Sequence, residues 1–313
     1  MKKFLIYGAL FVLPLIVVLV SLECLLRQVP NPYKYKYEWM QKNAEDVEVL
    51  VLGNSHTFYG IRPEFLDGKA FNLANGSQGM KEDLFLLKYW ADRYKKLKTI
   101  IYPISFSTWF VGRELEDDIE AYRCRYYTIY MDGNLYPSLP YYNFELGDYR
   151  TAKDKAARII SSKDDPGCDE FGWSTAYSLS KKKMNKWNDG TEADAAVKRH
   201  TAKSWNHIDL HYARMKELAN FCKSRNIQLI LTTTPCWHSY YDHLDNKQLA
   251  KMHELTNQYV EESGAIYFDY LKDQRFEADD FFDSNHLSDI GATKFTKILN
   301  EDLNKSVLES GQQ

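Results

Sequence analysis

Several common functions lack their signatures in this sequence. Its charges nearly cancel, 40 Lys and Arg against 43 Asp and Glu for a formal net of -3. No basic surplus exists to neutralise phosphates, so no nucleic-acid partner is expected. Cysteine is scarce: Cys24, Cys124, Cys168, Cys222 and Cys236 are all there is, and their spacing matches no zinc or thioredoxin pattern. In an exported protein Cys124 and Cys168 are candidates to pair. Cys222 falls on the apolar side of a helical pattern, as a plain buried thiol. Gly76 and Gly79 are not followed by Lys-Ser/Thr, so no phosphate loop is present. His207 and His211 lie four apart, with neither a Glu in the metalloprotease position nor a third ligand. Surface or capping roles account for them, and neither metal nor cofactor is expected. Internal repeats and low-complexity tracts are also missing.

What is present begins with a long apolar run. Met1-Lys2-Lys3 precedes the uncharged stretch Phe4–Leu22, which is about long enough to cross a bilayer. Pro14 is tolerated in a membrane helix. The two lysines favour a cytoplasmic N-terminus, which puts the rest of the chain on the extracytoplasmic side. A cleaved signal peptide is the rival reading. No small-x-small cleavage site follows the run, and Glu23 before Cys24 does not suit a lipoprotein site, so an uncleaved anchor over residues 1–27 is expected. Residues 28–46, polar and carrying Pro30 and Pro32, read as a connector. The domain proper then covers 47–313.

Within that domain the pattern alternates. Residues 47–53 read as a buried strand. A proline-led helix start follows at Arg62–Leu66, then a strand over 69–74. A helix over 80–96 is marked by Met80, Leu84, Leu87, Ala91 and Tyr94, and a strand over 98–104 follows. The rhythm breaks over about 108–205, an insertion rich in Tyr, Trp and Lys with turn pairs Asp132-Gly133, Pro166-Gly167 and Asp189-Gly190. It resumes with a helix over 207–224, a strand over 227–233, a helix through Leu249–Tyr259, a strand over 265–268 and a final helix bearing Phe295, Ile298, Leu299 and Leu303. Such alternation with short links implies parallel strands and right-handed crossovers. The chain has 23 Tyr, a residue that serves half-buried packing as readily as carbohydrate or peptide surfaces.

In an open parallel sheet, ligands sit outside the carboxyl ends of the strands. Ser55, the 75–79 loop, Ser105, the 235–241 loop and the 280–288 segment all fall at that edge. Ser55 follows Gly53 at a sharp turn, where a Ser is either a displayed nucleophile or a helix N-cap. Asp283-Ser-Asn-His286 offers a base and a carboxylate to orient it, or else a helix cap and a surface His. His238 and His243 lie in a Tyr-rich loop near this edge. His56, beside Ser55, reads as structural.

Together the two blocks resemble those of the SGNH (GDSL-type) hydrolase superfamily. Gly53-Asn54-Ser55-His56 is similar to its Gly-Asp-Ser block. Asp283-x-x-His286-Leu287, followed by Gly291, is similar to its Asp-x-x-His-Leu-x-x-x-Gly block. The resemblance covers roughly 47–107 and 208–305. It implies a three-layer α/β/α fold with a five-stranded, flavodoxin-like parallel sheet. It also implies ester chemistry with Ser55 as nucleophile, His286 as general base and Asp283 as its orienter. Gln78 or Gly79 would stand for the second-block oxyanion donor. Ser105 would stand for the third-block Asn, which this sequence lacks. An anchor joined to such a domain is similar to the tethered proteins of cell-envelope O-acylation. That architecture implies an acylated glycan or other ester as substrate and a membrane-bound acyltransferase as partner. An accessory, glycan-binding protein without turnover is the alternative.

Overall fold

A computed structural model describes residues 1–111, 114–117, 120–133, 135–136, 140–182 and 191–310. Its first element, α1 (Lys2–Gln28), is apolar on every side and almost wholly exposed as far as Leu22. It is long and apolar enough to cross a membrane. The expected connector is mostly helix. In α2 (Pro32–Asn43), Asn31 caps the N-terminus and accepts the Lys34 N–H at 3.0 Å. Tyr33 and Met40 of α2 are buried in the main core. Lys36 is 0% exposed, donates to the Ala74 carbonyl and lies 4.1 Å from the centre of the Phe58 ring. Burial lowers its pKa to about 7. This segment is therefore part of the domain.

The sheet alternates with helices: β1 (Val49–Val51), α3 (Ser55–Gly60), β2 (Ala70–Asn72), α4 (Met80–Tyr89), β3 (Thr99–Pro103). The insertion adds α5 (Cys124–Tyr130), α6 (Tyr149–Ile160) and α7 (Thr191–His200). Then come α8 (Ile208–Ser224), β4 (Gln228–Thr233), α9 (His238–Tyr241), α10 (Asn246–Ser263), β5 (Ile266–Asp269) and α11 (Asp289–Ser310). All pairings are parallel, in the order β2-β1-β3-β4-β5. Alternation along the strands splits the core into two layers. Leu50, Ile100, Leu229 and Leu231 face α2, α4, α8 and α10. Val51, Ile101 and Ile230 face α11 through Phe295 and Leu299. The α/β/α class expected from the sequence is the one observed.

The differences are local. The proline-led segment 63–65 is a single 3-10 turn, and α4 stops at Tyr89. None of the five cysteines forms a disulfide, so the expected Cys124–Cys168 pair is not made, and the two are buried in separate clusters. In the insertion, the Phe171 carbonyl accepts the Asn72 N–H at 2.9 Å, which ties the insertion to edge strand β2. The Ser174 N–H donates to Phe58 at 3.1 Å and Trp173 Nε1 to the Tyr59 carbonyl at 2.6 Å. The insertion thus lies over α3. Its Asp189-Gly190 turn pair lies outside the described residues.

Candidate active site

The turn after β1 is forced by its neighbours. Gly53 adopts φ 107°, and a Cβ there would come within 2.3 Å of Pro103 Cγ at the end of β3. Only glycine fits. Asn54, not Ser55, caps α3: its side chain accepts the His56 N–H at 3.0 Å. Thr57 Oγ1 braces the turn by donating to the Leu52 carbonyl at 2.8 Å. Ser55 is the first helical residue. Its hydroxyl is spared from capping, and its N–H is one of the donors a helix leaves without an internal partner.

The Ser55 hydroxyl reaches the other end of the chain. Ser55 Oγ lies 2.8 Å from His286 Nε2, and His286 Nδ1 lies 2.9 and 3.0 Å from the two carboxylate oxygens of Asp283. A carboxylate only accepts, so Nδ1 carries the proton and Nε2 is left to accept from Ser55. Asp283 and His286 face one another because 282–286 is a tight turn. The Phe282 N–H donates to the His286 carbonyl at 2.9 Å, and Phe281 and Leu287 form an isolated antiparallel bridge. Asp283 also accepts the backbone N–H of Asn285 at 3.0 Å and of His286 at 2.8 Å. Burial alone would raise its pKa. Its interaction with His286 and these hydrogen bonds outweigh burial and hold it below the usual carboxylate value.

Aromatic and imidazole rings surround this chain of bonds. Tyr59 of α3, Tyr177 of the insertion and Phe282 form a continuous stack, with centroids 3.7 and 4.1 Å apart. Tyr59 and Tyr177 meet the His286 ring nearly at right angles, at 5.5 and 5.4 Å. On another side His56 lies 5.2 Å from His286, and Asn285 Nδ2 lies 3.3 Å from His56 Nε2. Burial, then the nearby His286 and His200, push the pKa of His56 well down. His200 is lowered to about 4 by burial, then by His286 and Arg199, and Tyr240 bonds its Nδ1 at 2.7 Å. Both stay neutral beside His286.

The expected oxyanion donors are engaged elsewhere. Gln78 Nε2 donates to Asp83 Oδ1 at 2.6 Å and to the Leu73 carbonyl at 3.3 Å. Its Oε1 accepts from Asn75 and Tyr127. The Gly79 N–H donates to Glu82 at 2.9 Å as part of the cap of α4. Ser105 Oγ lies 3.0 Å from Thr108 Oγ1 and 3.3 Å from Ser107 Oγ. No hydrogen bond links any of the three to Ser55. By contrast, the backbone N–H groups of Ser55 and Gly76 carry no acceptor among the described residues. The Asn75 N–H donates to the Gly53 carbonyl at 3.2 Å, which holds the Gly76 loop against the Ser55 turn. A Cβ on Gly76 would lie 3.4 Å from an Arg123 guanidinium nitrogen, and Arg123 is paired with Glu120 at 2.6 Å.

Asp83, on α4, ties these parts together. Its Oδ1 accepts the Gly53 N–H at 2.9 Å as well as the Gln78 amide. Burial raises its pKa to about 7. Sequence reasoning missed Asp83, Tyr59, Tyr177 and Arg123. Only Tyr59 carried a usable hint, four residues beyond Ser55 on the same helix. His211 Nε2 donates to the Val111 carbonyl at 2.9 Å, in the core. His238 and His243 are exposed and pair with Asp242 and Asp194.

No protein-family model matches this chain, and no curated protein matches it. Two solved structures are similar in chain course. One is a proposed acylhydrolase from Bacteroides fragilis, 12% identical with a TM-score of 0.43, covering 86% of this chain and 95% of that one. The other is a proposed arylesterase from Agrobacterium tumefaciens, 12% identical with a TM-score of 0.34, covering 83% of this chain and 99% of that one.

Proposed function

We propose that this chain is an SGNH-type serine esterase or acyltransferase, held at the extracytoplasmic face of a membrane by α1. The observation that carries the reading is the unbroken hydrogen-bonded line from Ser55 Oγ through His286 to Asp283. Ser55 Oγ attacks an acyl carbonyl while His286 Nε2 takes its proton. Asp283 holds the ring in the required tautomer and stabilises the imidazolium that forms. The C–O bond to the leaving alcohol breaks, and His286 returns the proton to that oxygen. Water, or a sugar hydroxyl, then gives up a proton to His286 and attacks the acyl-Ser55 ester. The acyl bond to Ser55 Oγ breaks, His286 returns the proton to that oxygen, and the free acid or the acylated sugar leaves. The free N–H groups of Ser55 and Gly76 are the donors for the oxyanion, and the Arg123 guanidinium beside Gly76 adds positive potential.

The acyl group is read as acetyl, the substrate as an ester on a cell-envelope glycan, and a membrane-bound acyltransferase as the partner. These rest on the pairing of anchor and domain. One observation favours transfer or binding over fast hydrolysis: Ser105, at the third-block position, has its hydroxyl bound to Thr108. Losing one oxyanion donor costs about 10²–10³ in rate. Wild type and Ser55→Ala are compared for acetate release from 4-nitrophenyl acetate, with and without an oligosaccharide acceptor. Acetylated oligosaccharide from wild type alone identifies a transferase, and acetate alone a hydrolase. Neither product from a folded wild type favours the accessory, glycan-binding role.

A further inference from the structure

We propose that residues 141–163 form a foot that rests on the bilayer beside α1, with anionic lipid headgroups against Arg150, Lys153 and Lys163. The proposal depends on the reading of α1 as a membrane anchor. Beyond residue 28, ten large apolar side chains are exposed among the described residues, and six of them fall within 141–160. They are Tyr141, Phe144, Leu146, Tyr149, Ile159 and Ile160, with Tyr149 78% and Ile160 85% exposed. Such a concentration marks an interaction surface rather than ordinary solvent exposure.

Its position relative to α1 says what covers it. The Glu23 carboxylate accepts the backbone N–H of Glu145 and of Leu146, each at 3.0 Å. Arg27 bonds Glu23 at 2.7 Å and donates to the Asn143 carbonyl at 2.6 Å. These bonds fix Asn143–Leu146 to the helix at the residue where its uncharged run ends. At ~1.5 Å per residue, Phe4–Leu22 spans ~28 Å, close to the ~30 Å thickness of a hydrocarbon core. Glu23 and the segment bound to it therefore lie at the boundary between hydrocarbon and headgroups. The far end of α6 returns to the same level, since Ile159 and Lys163 share a cleft of about 340 Å³ with Leu25, Val29 and Pro30.

The chemistry of α6 matches that depth. Tyr149, Lys153, Ala157 and Ile160 recur at helical spacing and are exposed, with Arg150 beside them. Apolar and aromatic side chains interleaved with cations on one face suit a helix lying in the interface. Juxtamembrane cations are drawn to an anionic surface. The inner side of α6 is committed to the domain, where Lys155 pairs with buried Glu145 at 2.7 Å. The outer side is left for the lipid.

The test uses the full chain in nanodiscs, with exposed Cys24 changed to Ser and single cysteines introduced as Tyr149→Cys, Ile160→Cys or Leu13→Cys. Each carries an environment-sensitive fluorophore, and the lipids carry a quencher at the headgroup or along the tail. The expected result is a blue shift with loss of emission to the headgroup quencher at 149 and 160, and to the tail quencher at 13. Both signals at 149 and 160 weaken when phosphatidylglycerol is replaced by phosphatidylcholine. Water-like emission at 149 and 160 with a lipid-buried label at 13 overturns the foot and leaves the anchor intact. Water-like emission at 13 overturns the anchor, and the foot with it.

Discussion

Replacing Asp283 with Asn removes one negative charge from behind His286 and leaves the side-chain shape. Asn Oδ1 can still accept the backbone N–H of Asn285 and His286, now at 3.0 and 2.8 Å, so the 282–286 turn survives. What changes is the bond to Nδ1. Both carboxylate oxygens now face that atom, at 2.9 and 3.0 Å. An amide neither fixes the tautomer nor compensates the imidazolium. In a serine protease triad the same change costs about 10⁴ in rate, or about 5.5 kcal/mol of transition-state stabilisation at about 1.36 kcal/mol per tenfold. The folding cost is smaller, about 1–2 kcal/mol, the difference between hydrogen bonds to a charged and to a neutral acceptor. The assay is kcat/KM on 4-nitrophenyl acetate beside a thermal melt. Activity should fall by three to four orders of magnitude (about 10³–10⁴) while the melting temperature drops by a few degrees. An Asp283→Asn protein that folds and keeps activity within about tenfold of wild type would refute the assignment. The pH dependence supplies a second reading. The folded pKa of Asp283 lies below its ordinary value, so its stabilisation is complete above that ordinary value and is lost as pH falls through the folded one. The variant should show less acid-side loss of stability than wild type.

Asp83 should behave in the opposite sense. Its pKa rises from 3.8 to about 7 on folding, so wild type loses stability as pH climbs between those values. At about 1.36 kcal/mol per pH unit, the loss approaches on the order of 4 kcal/mol above pH 7. Urea melts of Asp83→Asn across that range should be flatter, and a slope equal to wild type would contradict the assignment. Gly53→Ala should destabilise by about 1–3 kcal/mol, because its Cβ would overlap Pro103 and a positive φ strains any L residue. An unchanged melting temperature would count against that geometry. Tyr177→Ala breaks two stacked pairs, each worth about 0.5–1.5 kcal/mol. It should lower kcat/KM more than Glu301→Gln, a change at an exposed position of α11 outside the stack. Equal effects would show the stack has no bearing on His286.

The strands and the edge they share could be read from the sequence because short apolar runs ended at Gly53, Asn75, Ser105 and Pro235. Once parallel pairing is inferred, topology alone carries Ser55 and His286 to the same side of the sheet. The connector was misread because α2 buries Tyr33, Lys36 and Met40, and a buried lysine among tyrosines does not look like a core face. Its Nζ lies among Ala74, Phe58 and Cys168, partners distant in sequence. The oxyanion donors were hard to place for a different reason. A backbone N–H has no sequence signature, and whether Gln78 is free depends on Asp83 and Tyr127, which arrive from α4 and from the insertion. Tyr177 likewise comes from a stretch whose course is set by hydrogen bonds to β2 and α3 rather than by any periodicity of its own.

The proposed activity stands or falls with Ser55 as a nucleophile activated by His286, 2.8 Å away. A fluorophosphonate probe reacts at such a serine and leaves a covalent mass increase that intact-protein mass spectrometry reads directly. One adduct is expected on wild type, mapped to the peptide containing Ser55, with none on Ser55→Ala and strongly slowed labelling of His286→Ala. A folded wild type that takes up no probe, or an adduct that persists in Ser55→Ala, would contradict it.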